Sequence, residues 1–457
     1  MSIIRPSAVA GMFYPAEPTQ LMRQLDACWA AAKLRPDLAI PKAVPKAVIV
    51  PHAGYVYSGA VAASAYDLLK PAKGRMTRVV VLGPSHRVAF RGMAISSAQS
   101  WASPLGAVPL DRAAIASVIG RIPMVGELEQ AHAQEHSLEV HLPFLQRVLG
   151  AFQLVPVVVG EATPEQVAAL LDALWGGPET LIVISTDLSH YLDYSSCQEL
   201  DARTATAIET LDSTALSRDQ ACGSMPLAGL LLTAKRRGLG IVTLDLRNSG
   251  DTAGPKDKVV GYGAWAVFEP TADAIASIGP LLVELARAAI QSGLDHGAPV
   301  DAHAGDDLPA LLTSAGATFV TLKKQGQLRG CIGSPQAWRP LAEDICDNAF
   351  KAAFRDPRFP PLTAPEWANV DLSVSVLTPP VAMRFSDQAD LLAQLRPRID
   401  GLIIEDKGKR ALFLPSVWEQ LPDKAQFLAH LKHKAGMAPN HWSPNFTASR
   451  FQALEFS

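Results

Sequence analysis

Short, continuous runs of apolar residues recur along the first 270 residues of the chain. Such runs are typical of strands that helices cover on both faces, because both sides of each strand are then buried. Segments with helical periodicity lie between them, one opening with a capping signature at Thr163–Gln166 and another ending in basic residues before Gly238. The pattern predicts an α/β sandwich whose strands include AVIV (47–50), RVVVLG (78–83), LVPVVVG (154–160), LIVIS (181–185) and IVTLDL (241–246).

The pattern changes beyond residue 270. After a short linker, TADA, an amphipathic helix is predicted from residue 276. Two segments then read as hairpins that turn at Gly326 and Gly408, and VDLSVSVL (370–377) alternates between apolar and polar residues. Hairpins interspersed with helices indicate an α+β domain rather than a second parallel sheet. We therefore predict two domains, 1–270 and 276–457, with the boundary near 270–275.

Composition narrows the class of protein. The chain has 457 residues, 48% of them hydrophobic, and a formal net charge of -3, so two cores are feasible and a main role in nucleic-acid binding is not expected. No apolar run approaches the roughly 18 residues that span a bilayer, so no membrane association is expected. The five cysteines are scattered without a CxxC pair, and the start MSIIRPSAVAGMFYP does not resemble a secretory signal. We expect a reduced, cytoplasmic protein.

Three histidines occupy the same position relative to predicted strands. His52 follows AVIV, His86 follows VVVLG, and His190 follows LIVIS. Ligands bind at the carboxyl edge of open α/β sheets, where the loops after parallel strands converge. A lone histidine there is usually a cap or a surface residue, but three at separate strand ends favour a shared pocket. Imidazoles gathered in one pocket are suited to a divalent transition metal.

The segment EHSLEVHLPFL (135–145) adds Glu135, His136, Glu139 and His141. The two histidines are five residues apart, so on a helix they point in different directions and do not form an HExxH zinc site. We interpret the segment as supporting ligand residues or contacting substrate, with His141 a catalytic candidate. The alternative is a core helix with polar ends. Asp187 could orient a ligand histidine or act as a general base together with His190.

Several motifs give the first domain a family resemblance. RPSAVAGMFYP, PHAGYVYSG, GPSH, EHSLEVHLP, STDLSHY and NSGDTAG…VVGYGA occur in the order typical of the Memo family, over the whole of 1–270. The resemblance implies a fold similar to class III extradiol dioxygenases, which are non-haem iron enzymes. It also implies a pocket in which His52, His86 and a residue of the late loop bind iron or copper, with His190 and Asp187 nearby.

The late loop departs from the best-known animal members of that family. Alignment on VVGYGA places Thr252 where those members have a metal-binding cysteine. The neighbouring Asp251 could serve instead, which would give the two-histidine, one-carboxylate set that suits Fe(II). We therefore predict iron, with zinc or copper as alternatives, bound by His52, His86 and Asp251. Cys222 opens a predicted helix and could be a reactive thiolate, although a small buried core cysteine is the simpler interpretation.

The second domain contains LRGCIGS (328–334). Glycines flank Cys331, and Arg329 adds a cation that would favour a thiolate. With NAFKAAFRDPRFPPL and the segment 401–437, the motif is similar to the AMMECR family, protein A of the AmmeMemoRadiSam system, over 276–457. The resemblance implies a compact α+β fold without a settled activity. Arg329, Cys331, Arg355 and Arg358 could line a groove for an anionic ligand; the alternative is a hairpin that requires glycine for packing.

The leading functional hypothesis is a metal-dependent enzyme, redox or dioxygenase-like, acting on a small molecule or peptide. The resemblance also implies a radical SAM protein acting in trans, since the chain has no CxxxCxxC motif for an iron–sulfur cluster. The main alternative is a non-catalytic adaptor that binds a ligand or peptide. A metal-free hydrolase using His190 and Asp187 is a third possibility, which lacks support from any GxSxG motif.

Overall fold

The computed structural model describes residues 3–34, 43–122, 124–270, 272–298, 300, 310–313, 315–383 and 385–457. The chain divides into two compact units. The first comprises Met1–Lys235 and Gly240–Phe268, and the second comprises Arg236–Leu239 and Glu269–Ser457. Each unit has its own sheets and is described separately.

The first unit is built on a nine-stranded mixed sheet with the strand order β10-β12-β2-β9-β3-β8-β4-β7, in which β11 also pairs with β12. The four strands β2, β9, β3 and β8 are parallel neighbours. A separate three-stranded sheet has the order β1-β5-β6. The described strands of this unit are β1 Ile4–Arg5, β2 Ala47–Val50, β3 Arg78–Pro84, β4 Met93–Ile95, β5 Ser100–Trp101, β6 Val108–Pro109, β7 Val125–Glu127, β8 Gln153–Val159, β9 Thr180–Ser185, β10 His190–Leu192, β11 Gly240–Asn248 and β12 Val259–Phe268.

The five apolar runs predicted as strands all form strands of this sheet. Every residue of β2 and β9 is buried, which explains why their sequences are continuous rather than alternating. Helix α6 begins with the predicted capping box between Thr163 and Gln166. The described α-helices of the unit are α1 Pro18–Ala30, α2 Tyr55–Asp67, α3 Arg112–Ile119, α4 Glu129–Ala133, α5 Leu142–Leu149, α6 Pro164–Leu174, α7 Tyr194–Glu209 and α8 Ser224–Arg237.

A buried ion pair fastens the N-terminal segment to the rest of the unit. The Arg5 Nη1 atom lies 2.7 Å from Glu139 Oε2, and both side chains are buried. The same carboxylate accepts hydrogen bonds from the backbone N–H groups of Ala8 and Val9 and from the Tyr14 hydroxyl. These donors offset the free energy that is lost when the Glu139 carboxylate is removed from water. The RPSAVAGMFYP motif is thereby held against the EHSLEVH segment.

The second unit contains two antiparallel four-stranded sheets and a two-stranded pair, β13-β16. The larger sheets have the orders β15-β14-β17-β22 and β18-β21-β19-β20. The predicted hairpin turns at Gly326 and Gly408 join β14 to β15 and β19 to β20. Both glycines, and the residue before each, have positive φ, as two-residue hairpin turns of the type I′ class require.

Two separate hydrophobic cores support these sheets. One includes Leu282, Ile345 and Val374, and the other includes Leu402, Trp418 and Phe427. The described strands are β13 Ala315–Gly316, β14 Thr318–Lys324, β15 Gln327–Gly333, β16 Arg339–Pro340, β17 Val370–Leu377, β18 Val381–Ala382, β19 Gly401–Asp406, β20 Lys409–Phe413, β21 Thr447–Phe451 and β22 Ala453–Phe456. The described helices are α9 Ala272–Ser277, α10 Gly279–His296, α11 Ala310–Thr313, α12 Leu341–Phe354, α13 Ala364–Trp367, α14 Gln388–Gln394 and α15 Lys424–Lys434.

Candidate metal centre

Two predicted histidines and one cysteine meet at the carboxyl edge of the first sheet. His52 and His86 follow the ends of β2 and β3, the two strands that flank β9. Cys222 lies just before α8, and its Sγ atom is 3.3 Å from His52 Nε2. One potential ligand atom from each of the three residues lies within 4.8 Å of the other two. The structure thus brings His52 and His86 together, and it adds Cys222, for which a core position was the simpler interpretation.

A serine determines which nitrogen of His52 faces this group. The Ser185 hydroxyl donates its single proton to the carbonyl oxygen of Ser137 at 2.6 Å. It must therefore accept from its two other neighbours, His52 Nδ1 at 2.6 Å and His141 Nε2 at 2.8 Å. With the proton of His52 on Nδ1, the lone pair of Nε2 points to the side where Cys222 lies. Ser185 was not among the predicted site residues, although it is the last residue of LIVIS.

Glu135 plays the corresponding role for His86. Its Oε1 atom lies 2.9 Å from His86 Nδ1, and its Oε2 atom accepts the backbone N–H of His86 at 2.6 Å. The backbone N–H groups of His136 and Ser137 donate to Oε1 as well. Burial alone would raise the pKa of Glu135, but these hydrogen bonds hold it at about 2. A carboxylate that accepts from Nδ1 leaves the lone pair on Nε2, which is the usual arrangement of metal-bound histidines.

Cys222 reaches the pocket through a close approach of its loop to the end of β9. A Cβ atom on the adjacent Gly223 would lie 2.5 Å from the carbonyl oxygen of Ser185, so only glycine fits there. The backbone N–H of Asp187 donates to Cys222 Sγ at 3.3 Å. Burial raises the pKa of the Cys222 thiol to about 12 when no cation is present. The sequence Ala221-Cys222-Gly223 is the feature that could have indicated this position, because a glycine after the cysteine permits the close approach.

Asp187 and His190 lie beside the three clustered residues. The Asp187 Oδ1 atom accepts the backbone N–H of His52 at 2.7 Å, and Oδ2 lies 4.0 Å from His52 Nε2. Burial raises the pKa of Asp187 to about 7. Burial also lowers the pKa of His190. For His52, burial and then the nearby imidazoles lower the pKa well below its usual value, and His190 is one of those imidazoles.

His136 and His141 occupy different positions. The His136 ring stacks on His86 with centroids 4.7 Å apart and is covered on another side by Phe13 at 4.6 Å. His136 also forms a second group of closely spaced potential ligands with His86 and Glu135. His141 is buried and contacts Ser185, so it supports the orientation of His52 from behind. Glu139 holds the N-terminal segment, and the 135–145 segment therefore has both supporting and structural roles.

The structure does not bring the predicted ligand Asp251 into this group. Its side chain is exposed, Oδ1 accepts from the Tyr194 hydroxyl at 2.6 Å, and Oδ2 accepts from the backbone of Asn248 at 3.0 Å. The second contact completes a capping box around the 3₁₀ turn Ser249–Asp251. The Thr252 hydroxyl donates to the carbonyl of Ser249 at 3.2 Å. Local turn formation therefore uses both polar side chains for which a ligand role was considered.

Two family models match the chain. The model of the Memo family, described as Memo-like protein, matches residues 5–266, more than half of the chain. The chain belongs to the Memo family. The AMMECR1 model matches residues 283–456, so the Memo segment is joined to an AMMECR1 domain.

Two relatives show how much of the chain the Memo segment accounts for. A MEMO1 family protein of Sulfolobus acidocaldarius is 34% identical over 284 residues, which are 57% of this chain and 98% of that protein. A MEMO1 family protein of Ignicoccus hospitalis is 35% identical over 281 residues, again 57% of this chain and 98% of the other. These relatives therefore align with the Memo segment over nearly their whole length.

Two solved structures are also similar to the chain. The uncharacterized protein PH0010 from Pyrococcus horikoshii is 34% identical and covers 39% of this chain and 90% of its own, with a TM-score of 0.36. The uncharacterized protein JW3007 from Escherichia coli K12 is 12% identical and covers 48% of this chain and 98% of its own, with a TM-score of 0.30. Among the described residues, no helix combines the length and apolar character needed to cross a membrane.

In the AMMECR1 segment, two of the three arginines of the predicted anionic groove form ion pairs within the protein. Arg329 binds both carboxylate oxygens of Glu366, at 2.8 and 3.0 Å. Arg358 binds Asp356 at 2.7 Å, and Asp356 also accepts the backbone N–H of Cys331. Arg355 is exposed, and its guanidinium lies over a phenylalanine ring. Glu366 and Asp356 thus compensate the charges of Arg329 and Arg358, which favours a structural role for these two arginines.

The glycines of LRGCIG are explained by close packing. A Cβ atom on Gly330 would lie 2.2 Å from the carbonyl oxygen of Ala352 in α12. A Cβ atom on Gly333 would lie 2.3 Å from the Phe319 ring. Cys331, between them, is partly exposed and receives a hydrogen bond from the Thr321 hydroxyl at 3.4 Å. The geometry favours the hairpin interpretation of the motif.

Proposed function

We propose that the Memo unit is a metal-dependent enzyme whose ion is held by His52, His86 and Cys222. The distance of 3.3 Å between His52 Nε2 and Cys222 Sγ supports this. Two ligands of a tetrahedral ion, with typical metal–nitrogen and metal–sulfur bonds, stand about 3.5 Å apart. The Nε2 atom of His52 and that of His86 are the unprotonated nitrogens, so both lone pairs are available. Three protein ligands would leave a position for substrate, as in catalytic rather than structural sites.

The residues around the ligands have defined tasks in this proposal. A bound ion would supply Lewis acidity or electron exchange to a small substrate. Ser185 and Glu135 hold the two imidazoles in the orientation and tautomer that ligation needs. Asp187 and His190 stand next to the ligands, where they can hold or transfer a proton of the substrate. Phe13 and His136 cover the pocket and limit access of water.

The donor set bears on the identity of the metal. Two imidazoles and a thiolate suit iron, copper and zinc. A thiolate in place of the carboxylate of Asp251 shifts the set away from the arrangement typical of Fe(II) oxygenases and towards softer ions. We keep iron with dioxygenase-like or redox chemistry as the proposed reaction class because of the resemblance to the Memo family, whereas the thiolate favours copper or zinc, and metal analysis distinguishes the three.

Metal analysis of four proteins tests the proposal. We expect the full chain to contain one equivalent of iron, copper or zinc and the His52→Ala variant to contain almost none. Cys222→Ser should weaken metal binding at least tenfold, whereas Asp251→Asn should leave it unchanged. Circular dichroism establishes that all four are folded. A folded wild-type protein without metal would refute the proposal, and loss of metal in Asp251→Asn but not in Cys222→Ser would return the third ligand to Asp251.

A non-catalytic binding module is the second candidate. It is favoured by aromatic side chains that remain exposed near the pocket, Tyr57 at 41% and Tyr191 at 72%. Tyr191 follows His190 and has a φ of 61°, a left-handed conformation that is strained for a bulky residue. Strain without compensating burial is often found where a ligand binds. Peptide or small-molecule binding by the metal-free protein would support this function.

We also propose that a radical SAM protein acts with this chain in trans. The basis is the resemblance to the AmmeMemoRadiSam system and the union of Memo and AMMECR1 segments in one chain. The five cysteines contain no CxxxCxxC motif, so the chain would depend on its partner for iron–sulfur chemistry. Affinity purification from the source cells tests this, and repeated failure to recover an iron–sulfur protein would count against it.

A further inference from the structure

A second pocket of about 290 Å³ lies in the Memo unit, formed by residues that none of the functional assignments above includes. It is formed where the last turns of α1 and α5 meet the 3₁₀ turn Lys70–Ala72. Its size approaches that of typical small-molecule sites. The lining residues are Asp26, Trp29, Lys70, Lys73, Arg147 and Val148.

The lining carries an excess of positive charge, with three cations and one carboxylate. Arg147 pairs with Asp26 at 3.3 Å, and Lys70 pairs with Asp67, which is not part of the lining. Both pairs are substantially exposed. Exposed ion pairs contribute little stability, so a bound anion could recruit these cations at small cost.

Lys73 and Trp29 are not explained by the contacts of the fold. Lys73 is exposed, lies outside the α-helices and has no ion pair among the described residues. The indole N–H of Trp29 is buried without a hydrogen-bond acceptor within the part of the chain that the structure describes. Unpaired buried donors are uncommon, because losing water without a replacement acceptor is unfavourable. The three cations and single carboxylate of the lining therefore remain the main feature that a ligand could use, and the indole contributes its ring rather than its N–H.

Arg147 has a simpler explanation, since a cation in the last turn of a helix interacts favourably with the helix dipole. That explanation does not extend to Lys73. The ring of Trp29 has Lys70 over one face at 5.4 Å and meets Phe144 edge-on at 5.4 Å. An aromatic wall next to cations is suited to a ligand that joins an anionic group to a flat apolar one.

We propose that this pocket binds the phosphate group of a small phosphate monoester. A phosphate monoester carries nearly two negative charges at neutral pH and offers three acceptor oxygens. That matches several cationic donors better than a carboxylate, which has one charge and two oxygens. The remainder of the molecule would lie against Trp29. The inference is independent of the metal centre, since the two sites have no residue in common.

Binding of AMP and of inorganic phosphate to the full chain tests the proposal, with line broadening in ³¹P NMR and quenching of tryptophan fluorescence as the measurements. We expect AMP to bind at least fivefold more tightly than inorganic phosphate. Lys73→Glu should weaken AMP binding at least tenfold, and Trp29→Phe should remove the quenching that AMP causes. Acetate at the same concentration should not compete.

Arg121→Glu is the matched control, because Arg121 is an exposed cation of the same unit beyond the end of α3. It should bind AMP as the wild type does, and His52→Ala should do the same. Equal weakening by Arg121→Glu and Lys73→Glu would overturn the proposal, because binding would then follow net charge alone. Equal affinity for AMP and inorganic phosphate, or no binding of either at millimolar concentration, would also overturn it.

Discussion

The hydroxyl of Ser185 contacts both His52 and His141 through their ring nitrogens. In Ser185→Ala, His52 loses the acceptor that keeps its proton on Nδ1, so either tautomer can form. We expect metal affinity to fall by roughly 10- to 100-fold, the usual effect of removing a group that orients a ligand. Competition with a chelator of known affinity measures the change.

Ser96→Ala is the control for that experiment. Ser96 is buried in the same unit, but it donates to Glu129 and accepts from Trp101 rather than from an imidazole. It should lower stability without altering metal affinity. Equal metal affinity in wild type and Ser185→Ala would show that the tautomer of His52 is determined by something else.

His132 makes the stability of the Memo unit depend on pH. The ring is buried, its Nε2 atom donates to the carbonyl of Ala94 at 3.1 Å, and burial lowers its pKa to about 4. The unfolded chain takes up a proton on this histidine below about pH 6.5, whereas the folded chain does so only near pH 4. The free energy of unfolding is therefore unaffected by protonation of His132 above the pKa that this residue has in the unfolded chain. It decreases as the pH falls from there towards the pKa of His132 in the folded protein.

We expect this loss to reach up to about 1.4 kcal/mol per pH unit within that window. Urea unfolding at a series of pH values between neutrality and the folded pKa measures it. The His132→Gln variant keeps a donor for Ala94 but cannot take up the proton, so its stability should depend less on pH. Identical slopes for variant and wild type would contradict the assignment to His132.

At the scale of single elements, β15 illustrates how a motif can be required for packing alone. In Gly330→Ala, the new methyl group would collide with the Ala352 carbonyl oxygen, since the two atoms would lie 2.2 Å apart. We expect the unfolding free energy of the second unit to fall by about 2 kcal/mol, as overpacked sites do. The change is measured by denaturant unfolding of the full chain, in which the Memo unit should be unaffected.

Gly120→Ala provides the comparison, because nothing lies within 4 Å of a Cβ atom there and its φ is −84°. That substitution should be neutral or slightly stabilising. Should Gly330→Ala prove equally neutral, close packing would not explain LRGCIG, and a ligand role for Cys331 would become the better hypothesis.

The strand ends could be predicted because the signal for them is local. Each of the three apolar runs at 47–50, 78–83 and 181–185 stops where a histidine follows within a few residues, and parallel neighbours necessarily end at the same edge. His52 and His86 therefore came together as the sequence indicates. Ser185 and Cys222 could not be assigned in this way, since their roles depend on contacts between segments distant in the chain.

Asp251 shows that a local sequence signal can also be consistent with two different roles. Its distance from VVGYGA predicts a position near the pocket, but its carboxylate caps its own turn and binds Tyr194. An aspartate three residues after asparagine is also a capping signal. Both interpretations are consistent with the sequence, and only the contacts of the side chain distinguish them.

For the whole molecule, two units with separate cores predict two separable fragments. We expect residues 1–270 alone to keep the metal stoichiometry of the full chain and residues 276–457 alone to unfold cooperatively. A fragment 1–238 is the control, because it lacks β11 and β12, and β12 pairs with β2 inside the sheet. Calorimetry and metal analysis measure both properties. A fragment 1–270 that fails to fold would contradict the division of the chain.

The attachment of the N-terminal segment through Glu139 has a consequence for the protection of the pocket. Glu139 binds the chain on both sides of Phe13, at Val9 and at Tyr14, and Phe13 lies against His136. One carboxylate thus secures the N-terminal segment as a strap over His136. Proteolytic removal of that strap would uncover His136 and would also leave the buried Glu139 carboxylate without its donors, so exposure of the pocket and loss of stability should occur together.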